Sequence, residues 1–193
     1  MVAQKTKTRL EDRYETEIAP KMMEKFGLTN RHQLPHLSKI IVNVGIGRHL
    51  ENQKLKQEIA DTVISTLTQI SGQKPILRMA KKSVANFKVR EGAPSGYMVT
   101  LRRDRMWHFL DRLVNLAMPR IRDFRGVNIN SFDRGGNYSV GLTEQAVWPE
   151  INMARVTFNH GMNINICFEG SNPEMSRFLL EELGMPFQRK DND

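Results

Sequence analysis

Hydrophobic residues recur along the chain with two different periods, and these periods predict alternating helices and strands. Residues 4–26 place an apolar side chain at every fourth position, which predicts a helix, and Pro20 is expected to kink or split it. Over residues 37–46 the period is two, which predicts a strand with one buried face and one mixed face. A second helical stripe covers residues 55–70, with Asn52 as its expected N-cap.

The remaining segments repeat the two patterns. Further strands are expected over residues 74–80, 96–103, 138–142 and 162–168. A third helix is expected to begin with Asp104 as its cap and to stop at Pro119, and a last helix to run from Pro173 to Gly184. This order predicts a single α+β domain over residues 1–193, with a short flexible tail at 188–193. The sheet is expected to be largely antiparallel, with helices on one face and a long basic hairpin loop.

The charge balance points to a polyanionic partner. Lys and Arg number 29 against 21 Asp and Glu, which leaves a net charge of +8. Such a chain favours RNA, DNA or an anionic membrane. A basic protein without any polyanionic partner has the same composition, so the positions of the charges have to decide.

Several classes of protein are excluded by residues that the chain lacks. The single cysteine, Cys167, excludes a disulfide scaffold and a multi-cysteine zinc site. No stretch approaches the ~18 apolar residues of a membrane span, and the N-terminus does not resemble a signal peptide, so we expect a reducing, cytoplasmic location. His32 and His36 have a metal-ligand spacing, but Pro35 argues against a helix there, so neither a metal nor a cofactor is expected.

The strongest basic cluster lies in the long connection at residues 81–95. It and its flanks carry Lys74, Arg78, Lys81, Lys82, Lys88, Arg90, Arg102 and Arg103. Glu91 is the only acidic residue there, and Phe87 is the only aromatic one before Tyr97. A connection of this length and charge favours contact with a phosphate backbone. A solvated, flexible hairpin is the alternative.

The polar faces of two predicted strands could serve the same purpose. Asn43 on one strand and Thr100 and Arg102 on another offer hydrogen-bond groups that suit phosphate, ribose hydroxyls and base edges. An ordinary solvent-facing sheet would look the same.

A second cluster consists of arginines close to a double-glycine turn. Its members are Arg120, Arg122, Arg125 and Arg134. Arginine at a turn suits a phosphate or an acidic protein partner. The alternative is a tethering loop in which Asp123 and Asp133 pair with these arginines.

Four long segments resemble one family of known proteins. They read SGQKPILRMAKKSVANFKVREG, GYMVTLRRDRMW, PRIRDFRGV and SFDRGGNYSVGLTEQAVWPEI. With VNVGIG before them and GMPF after them, they resemble the bacterial large-subunit ribosomal protein five, the universal uL5 family, in colinear order over roughly residues 10 to 187. The resemblance implies a non-catalytic protein of the ribosome's central protuberance. Its implied partners are 5S rRNA, P-site transfer RNA, neighbouring central-protuberance proteins and rRNA, and, at an intersubunit bridge, small-subunit protein thirteen.

The resemblance also assigns individual residues. Binding to 5S rRNA falls to Asn43, Gln73 and Thr100, with Lys74 and Arg102 nearby. Contact with transfer RNA falls to Arg78, Lys81, Lys82, Ser83 and Lys88. The four arginines of the second cluster are expected to face a partner. The chain departs from the family at Met98, where a basic residue is common, and at Glu91 and Ser95.

Two other functions fit some of the same observations. An enzyme acting on nucleic acid could use Asp104, Asp123 and Asp133 as Mg²⁺ ligands if they converged, although each has a local explanation. A free regulatory RNA binder would differ from a ribosomal protein only in where it is found.

Overall fold

The computed structural model describes residues 7–51, 54–87, 89–156 and 158–188. The helices are α1 Arg9–Arg13, α2 Ala19–Phe26, α3 Gln57–Ser71, α4 Arg103–Arg112 and α5 Pro173–Glu182. The strands are β1 His36–Gly45, β2 Leu50–Glu51, β3 Lys54–Leu55, β4 Ile76–Met79, β5 Pro94–Leu101, β6 Tyr138–Leu142 and β7 Met162–Glu169. The alternation of helices and strands follows the predicted order, with the small β2–β3 hairpin as an addition.

The principal sheet is antiparallel and has five strands in the order β4-β5-β1-β7-β6. The predicted α+β class is therefore confirmed. Strands β2 and β3 form a separate two-stranded sheet, in which Leu50 pairs with Leu55.

The residues divide into two compact units. The first unit comprises residues 1–40, 102–140 and 165–193. The second unit comprises residues 41–101 and 141–164.

The core of the second unit lies between α3 and the sheet. Val63, Leu67 and Ile70 on one face of α3 are fully buried, as the helical stripe predicts. Helix α3 contacts β5, whose Val99 and Leu101 are also buried. Burying apolar side chains of this size stabilises the fold by about 1.5–3 kcal/mol each.

The helices of the first unit contain two π-helical turns, and each ends two residues before a proline. One turn, Tyr14–Ile18, precedes Pro20 and separates α1 from α2. The other, Leu113–Ala117, follows α4 and precedes Pro119. A proline ring clashes with the carbonyl four residues before it, and a wider turn relieves that clash. The chain stays helical from Arg9 to Phe26, and Pro20 lies in the first turn of α2, directly after the π-helical turn.

Two predicted helix starts were wrong. Helix α3 begins at Gln57 with Lys56 as its N-cap, and Leu55 belongs to β3 because it pairs across the small hairpin. The expected cap Asn52 lies outside the described residues. Helix α4 begins at Arg103 with Arg102 as its N-cap, so Asp104 lies in the first turn, where its charge suits the helix dipole.

The C-terminal segment is anchored at least as far as Gln188. The backbone N–H of Gln188 donates to the carbonyl of Val127 at 3.0 Å. The other residues of the predicted flexible tail, 189–193, lie outside the described part of the chain.

Candidate nucleic-acid interface

Strands β1 and β5 each turn one apolar face inward and leave a mixed face outward. On β1, Val42 and Val44 are fully buried, whereas Asn43 between them is half-buried. On β5, Val99 and Leu101 are buried and Thr100 between them is half-buried. Because β1 and β5 are neighbours in the sheet, Asn43 and Thr100 lie on the same outward face.

The register between β4 and β5 extends this surface to a third strand. Ile76 pairs with Met98, and Arg78 pairs with Gly96 before a β-bulge interrupts the ladder. Directly paired residues share a face of the sheet. We call the surface formed by Ile41, Asn43, Ile76, Arg78, Met98 and Thr100 the open face. Arg78, which the sequence grouped with the basic connection, thus lies on the open face at the start of that connection.

The open face offers both polar and apolar contacts. Within the described residues, the side chains of Asn43, Arg78 and Thr100 have no hydrogen-bond or ion-pair partner, so their bonding capacity is available to a ligand. Beside them, Ile76 is 59% exposed. Apolar surface next to unpaired amide, hydroxyl and guanidinium groups suits the sugars and base edges of a folded RNA.

Gly96 lets β5 approach β1 closely. A Cβ atom at Gly96 would lie 2.6 Å from the carbonyl oxygen of Val44 on the neighbouring strand. The backbone N–H of Ile46 donates to the carbonyl of Ser95 at 3.1 Å, so this hydrogen bond keeps the end of β1 close to β5.

Replacing Gly96 with alanine is therefore expected to destabilise the fold by about 1–3 kcal/mol, the usual cost of overpacking. Urea-induced unfolding measures this change. Gly45→Ala is the matched control, because a Cβ there meets nothing within 4 Å. Equal effects of the two substitutions would show that crowding against Val44 is not the cause.

Gln73 and Lys74 lie on the short link between α3 and β4. The hydroxyl of Ser71 donates to the Gln73 carbonyl at 2.9 Å and accepts from the Gln73 N–H at 3.2 Å. Gly72 adopts a left-handed φ of 65° that ends α3. These contacts fix the Gln73 backbone and leave its side chain half-buried and that of Lys74 exposed.

The basic connection forms a hydrogen-bonded hairpin, residues 80–93, which we call the arm. Val84 and Val89 exchange backbone hydrogen bonds of 2.8 and 3.2 Å, and Ala80 donates to Ala93 at 2.8 Å. A 3₁₀ turn over Ala85–Phe87 lies between the paired valines. Backbone hydrogen bonds thus join the two sides of the arm at its base and again near its tip.

The arm presents cations and apolar side chains together. Lys81, Lys82 and Arg90 are exposed and have no partner within the described residues. Ser83 accepts the Glu91 N–H at 2.9 Å, so its hydroxyl also holds the arm together. The remaining predicted arm residue, Lys88, lies outside the described residues.

Apolar exposure near the tip was not foreseen from the sequence. Phe87 is 78% exposed and Val84 is 41% exposed, which is costly unless a partner covers them. Alternation within the arm could not reveal this exposure, because the arm has no buried face. These apolar side chains lie on the same arm as the unpaired lysines. Together they form a surface that can stack on bases as well as neutralise phosphates.

Arg102 belongs to the first unit, as the N-cap of α4. Its backbone is extended and its side chain is exposed. The predicted strand over residues 96–103 ends earlier, at Leu101, because Arg103 adopts a left-handed φ of 55° that turns the chain into α4.

The arginine cluster is exposed, and the described residues provide none of the acidic partners that a tethering loop needs. Arg120, Arg122, Arg125 and Arg134 are all exposed, and within the described residues none has an ion-pair partner. Both carboxylate oxygens of Asp133 accept from Asn137, at 2.8 Å each. The hydrogen bond from the Asn137 side chain lowers the pKa of Asp133, so its charge stabilises this turn. The geometry favours a partner-facing surface.

The described residues contain no group of three or more His, Cys, Asp or Glu side chains placed to hold a metal ion. Asp104, Asp123 and Asp133 belong to no such group in that part of the chain. Within the same residues, no helix has the length and apolar character needed to cross a membrane.

Comparison with known proteins identifies the family. A family model described as "Ribosomal protein L5" matches residues 30–90, and a second model, which describes the C-terminus of the same ribosomal family, matches residues 94–187. A protein of Alkaliphilus metalliredigens is 52% identical over 94% of this chain and 99% of its own length. One of Leifsonia xyli subsp. xyli is 50% identical over 96% and 93%, and one of Carboxydothermus hydrogenoformans is 48% identical over 94% and 99%.

All three relatives carry the name large ribosomal subunit protein uL5. Similarity of this extent, with both family models matched in order, establishes the family of the chain. The chain belongs to the uL5 family, and it is a structural constituent of the large subunit of the cytoplasmic ribosome rather than an enzyme.

Proposed function

We propose that the chain binds 5S rRNA in the central protuberance through the open face. The observation that carries the proposal is that Asn43 and Thr100 lie on the same outward face of two neighbouring strands. Their amide and hydroxyl groups have no partner within the described residues. Such groups can hydrogen-bond to ribose hydroxyls and base edges. Contacts to phosphates alone do not distinguish one RNA from another.

Charged residues around this pair supply the electrostatic part of the binding. Arg78 lies on the open face, Lys74 precedes β4, and Arg102 follows β5 in the chain. Each phosphate that a cation neutralises releases counterions and makes binding sensitive to salt. Gln73, whose backbone is fixed by Ser71, adds a side-chain amide on the link that precedes β4.

A filter-binding titration with 5S rRNA tests this proposal. The double variant Asn43→Ala, Thr100→Ala is expected to bind about 5-fold to 150-fold more weakly, since each lost hydrogen bond costs about 0.5–1.5 kcal/mol. The salt dependence should stay unchanged because neither residue is charged. The control is Thr29→Ala with Asn130→Ala, two exposed polar side chains of the first unit. Binding of the unaltered chain no tighter than to an unrelated RNA at matched salt would refute the proposal.

We further propose that the arm contacts P-site transfer RNA. Lys81 and Lys82 are exposed on an ordered hairpin, and Ser83 holds the two sides of that hairpin together. An ordered arm loses less conformational entropy on binding than a flexible loop does. Arg78 is at the point where the arm leaves the sheet, and Lys88 is included on the family resemblance.

The arginine cluster is proposed to face a partner in the assembled ribosome. Exposed guanidinium groups without intramolecular partners suit either rRNA phosphates or an acidic protein surface. In this proposal they contribute to contacts with central-protuberance components and to the intersubunit bridge with small-subunit protein thirteen.

A further inference from the structure

A groove in the second unit is lined partly by the arm and partly by segments that have no role assigned so far. It is bounded by the chain that leaves β1 at Gly45–His49, by Phe87 and Val89 of the arm, and by residues 158–163. Its volume is about 760 Å³. That volume falls within the range of about 300–1,000 Å³ that is typical of sites for small molecules.

Aromatic rings form one wall of the groove. The rings of His49 and Phe158 meet edge to face with centroids 4.6 Å apart. Phe158 and His160 lie nearly parallel, at 25°, with centroids 6.0 Å apart. His49 is exposed, and the 78%-exposed ring of Phe87 lines the groove from the arm. A planar ligand entering the groove thus meets ring surfaces from three different segments of the chain.

The described residues that line the groove include polar side chains but no charged ones. Asn159, Asn163 and Ser95 line it, and among its described lining residues there is no Lys, Arg, Asp or Glu. The Nδ1 atom of His160 is 3.2 Å from the carbonyl of Gly161, so it carries the proton and donates. Burial lowers the pKa of His160, which keeps this ring neutral. Among the described lining residues a free phosphate would find no fixed positive charge, whereas a neutral heteroaromatic ring would find aromatic rings to stack on and amides to hydrogen-bond.

We propose that this groove takes an unpaired nucleobase of the bound 5S rRNA, with its ring against the aromatic wall. The inference rests on the proposed function, because a base reaches the groove as part of an RNA. The arm and the open face adjoin the groove in sequence: Phe87 belongs to the arm, and Gly45 follows Asn43 on β1. The phosphates of that RNA are held by Lys74 and Arg78 at the open face, and an unpaired base of the same RNA enters the groove.

A direct test uses mononucleotides rather than RNA, so it does not depend on 5S rRNA binding. The whole chain is titrated with adenosine 5′-monophosphate or uridine 5′-monophosphate at millimolar concentration, and the ring resonances of His49 and Phe158 are followed by NMR. Ribose 5-phosphate, which lacks a base, is the control. Shifts with at least one nucleotide and none with the control are expected. No shift with either nucleotide, or equal shifts with the control, would overturn the inference.

A second test uses the RNA. Phe87→Leu removes an exposed ring without touching the core, and Phe158→Leu removes a ring of the wall. Each is expected to weaken 5S rRNA binding at least about fivefold, the lower end for a lost base-stacking contact, with the salt dependence unchanged. Phe124→Leu in the first unit is the control. If the unaltered chain binds 5S rRNA specifically and both variants bind as tightly as the control, the groove proposal fails while the proposed function stands.

Discussion

Phe109→Ala is expected to lower the free energy of unfolding by about 3–5 kcal/mol, a larger loss than Gly96→Ala should cause. The Phe109 ring on α4 is completely buried. Its truncation removes apolar burial and leaves a cavity that the surrounding helices can fill only in part. Since folded proteins are stable by about 5–15 kcal/mol in total, the loss is a large share of that stability. Urea-induced unfolding followed by circular dichroism measures it.

The control for this substitution is Leu116→Ala. Leu116 lies in the π-helical turn that follows α4, and its side chain is 47% exposed. A half-exposed leucine should cost clearly less than a buried phenylalanine, about 1 kcal/mol or less. Similar losses for the two substitutions would contradict the assignment of Phe109 to the core.

The second large effect is expected on transfer-RNA binding. Reversing both charges in Lys81→Glu, Lys82→Glu should weaken P-site transfer-RNA binding to reconstituted ribosomes at least about tenfold, because two attractions become repulsions. The slope of log affinity against log salt should fall by about two. Affinity for 5S rRNA should remain unchanged within error, since neither lysine lies on the open face.

A matched variant separates position from net charge. Lys54→Glu with Arg105→Glu changes the net charge equally, and both side chains are exposed outside the arm. It should bind both RNAs as the unaltered chain does. If the arm variant loses 5S rRNA and transfer-RNA binding to the same extent, the division of labour between arm and open face is refuted.

Much of the fold could be predicted from local pattern. The alternation on β1 identified Val42 and Val44 as core and left Asn43 outward, and the structure agrees. The stripe on α3 identified its buried face, and the helix ends at Ser71, one residue after the predicted stripe. These predictions hold because each depends on residues within a turn or a few positions of one another.

Predictions of where a helix begins failed where a strand pair or an unusual backbone conformation set the boundary. Leu55 fits the helical stripe, yet it pairs with Leu50 in the β2–β3 hairpin. Asp104 is a good cap by type, but the left-handed backbone at Arg103 starts α4 before it. Local propensity is weak, on the order of 1 kcal/mol for a cap, so a few tertiary contacts override it.

Only part of the candidate interface could be predicted from the sequence. Clustered charge identified the arm, and the family resemblance supplied Gln73 and the division between two RNAs. The place of Arg78 on the open face depends on its register opposite Gly96, which a shift of one residue would reverse. The exposure of Phe87 and Val84 likewise follows from a hairpin that has no core beneath it.

By itself, then, the sequence determined the basic character of this ribosomal protein, the buried faces of its main elements and its membership of the uL5 family. Only the tertiary structure decided which polar residues share a face, how closely β5 approaches β1, and that His49 and Phe158 meet in one groove. The physical reason is the range of the interactions. Periodicity records contacts between near neighbours in the chain, whereas strand register and ring contacts join segments that are distant in sequence and meet only when the chain folds.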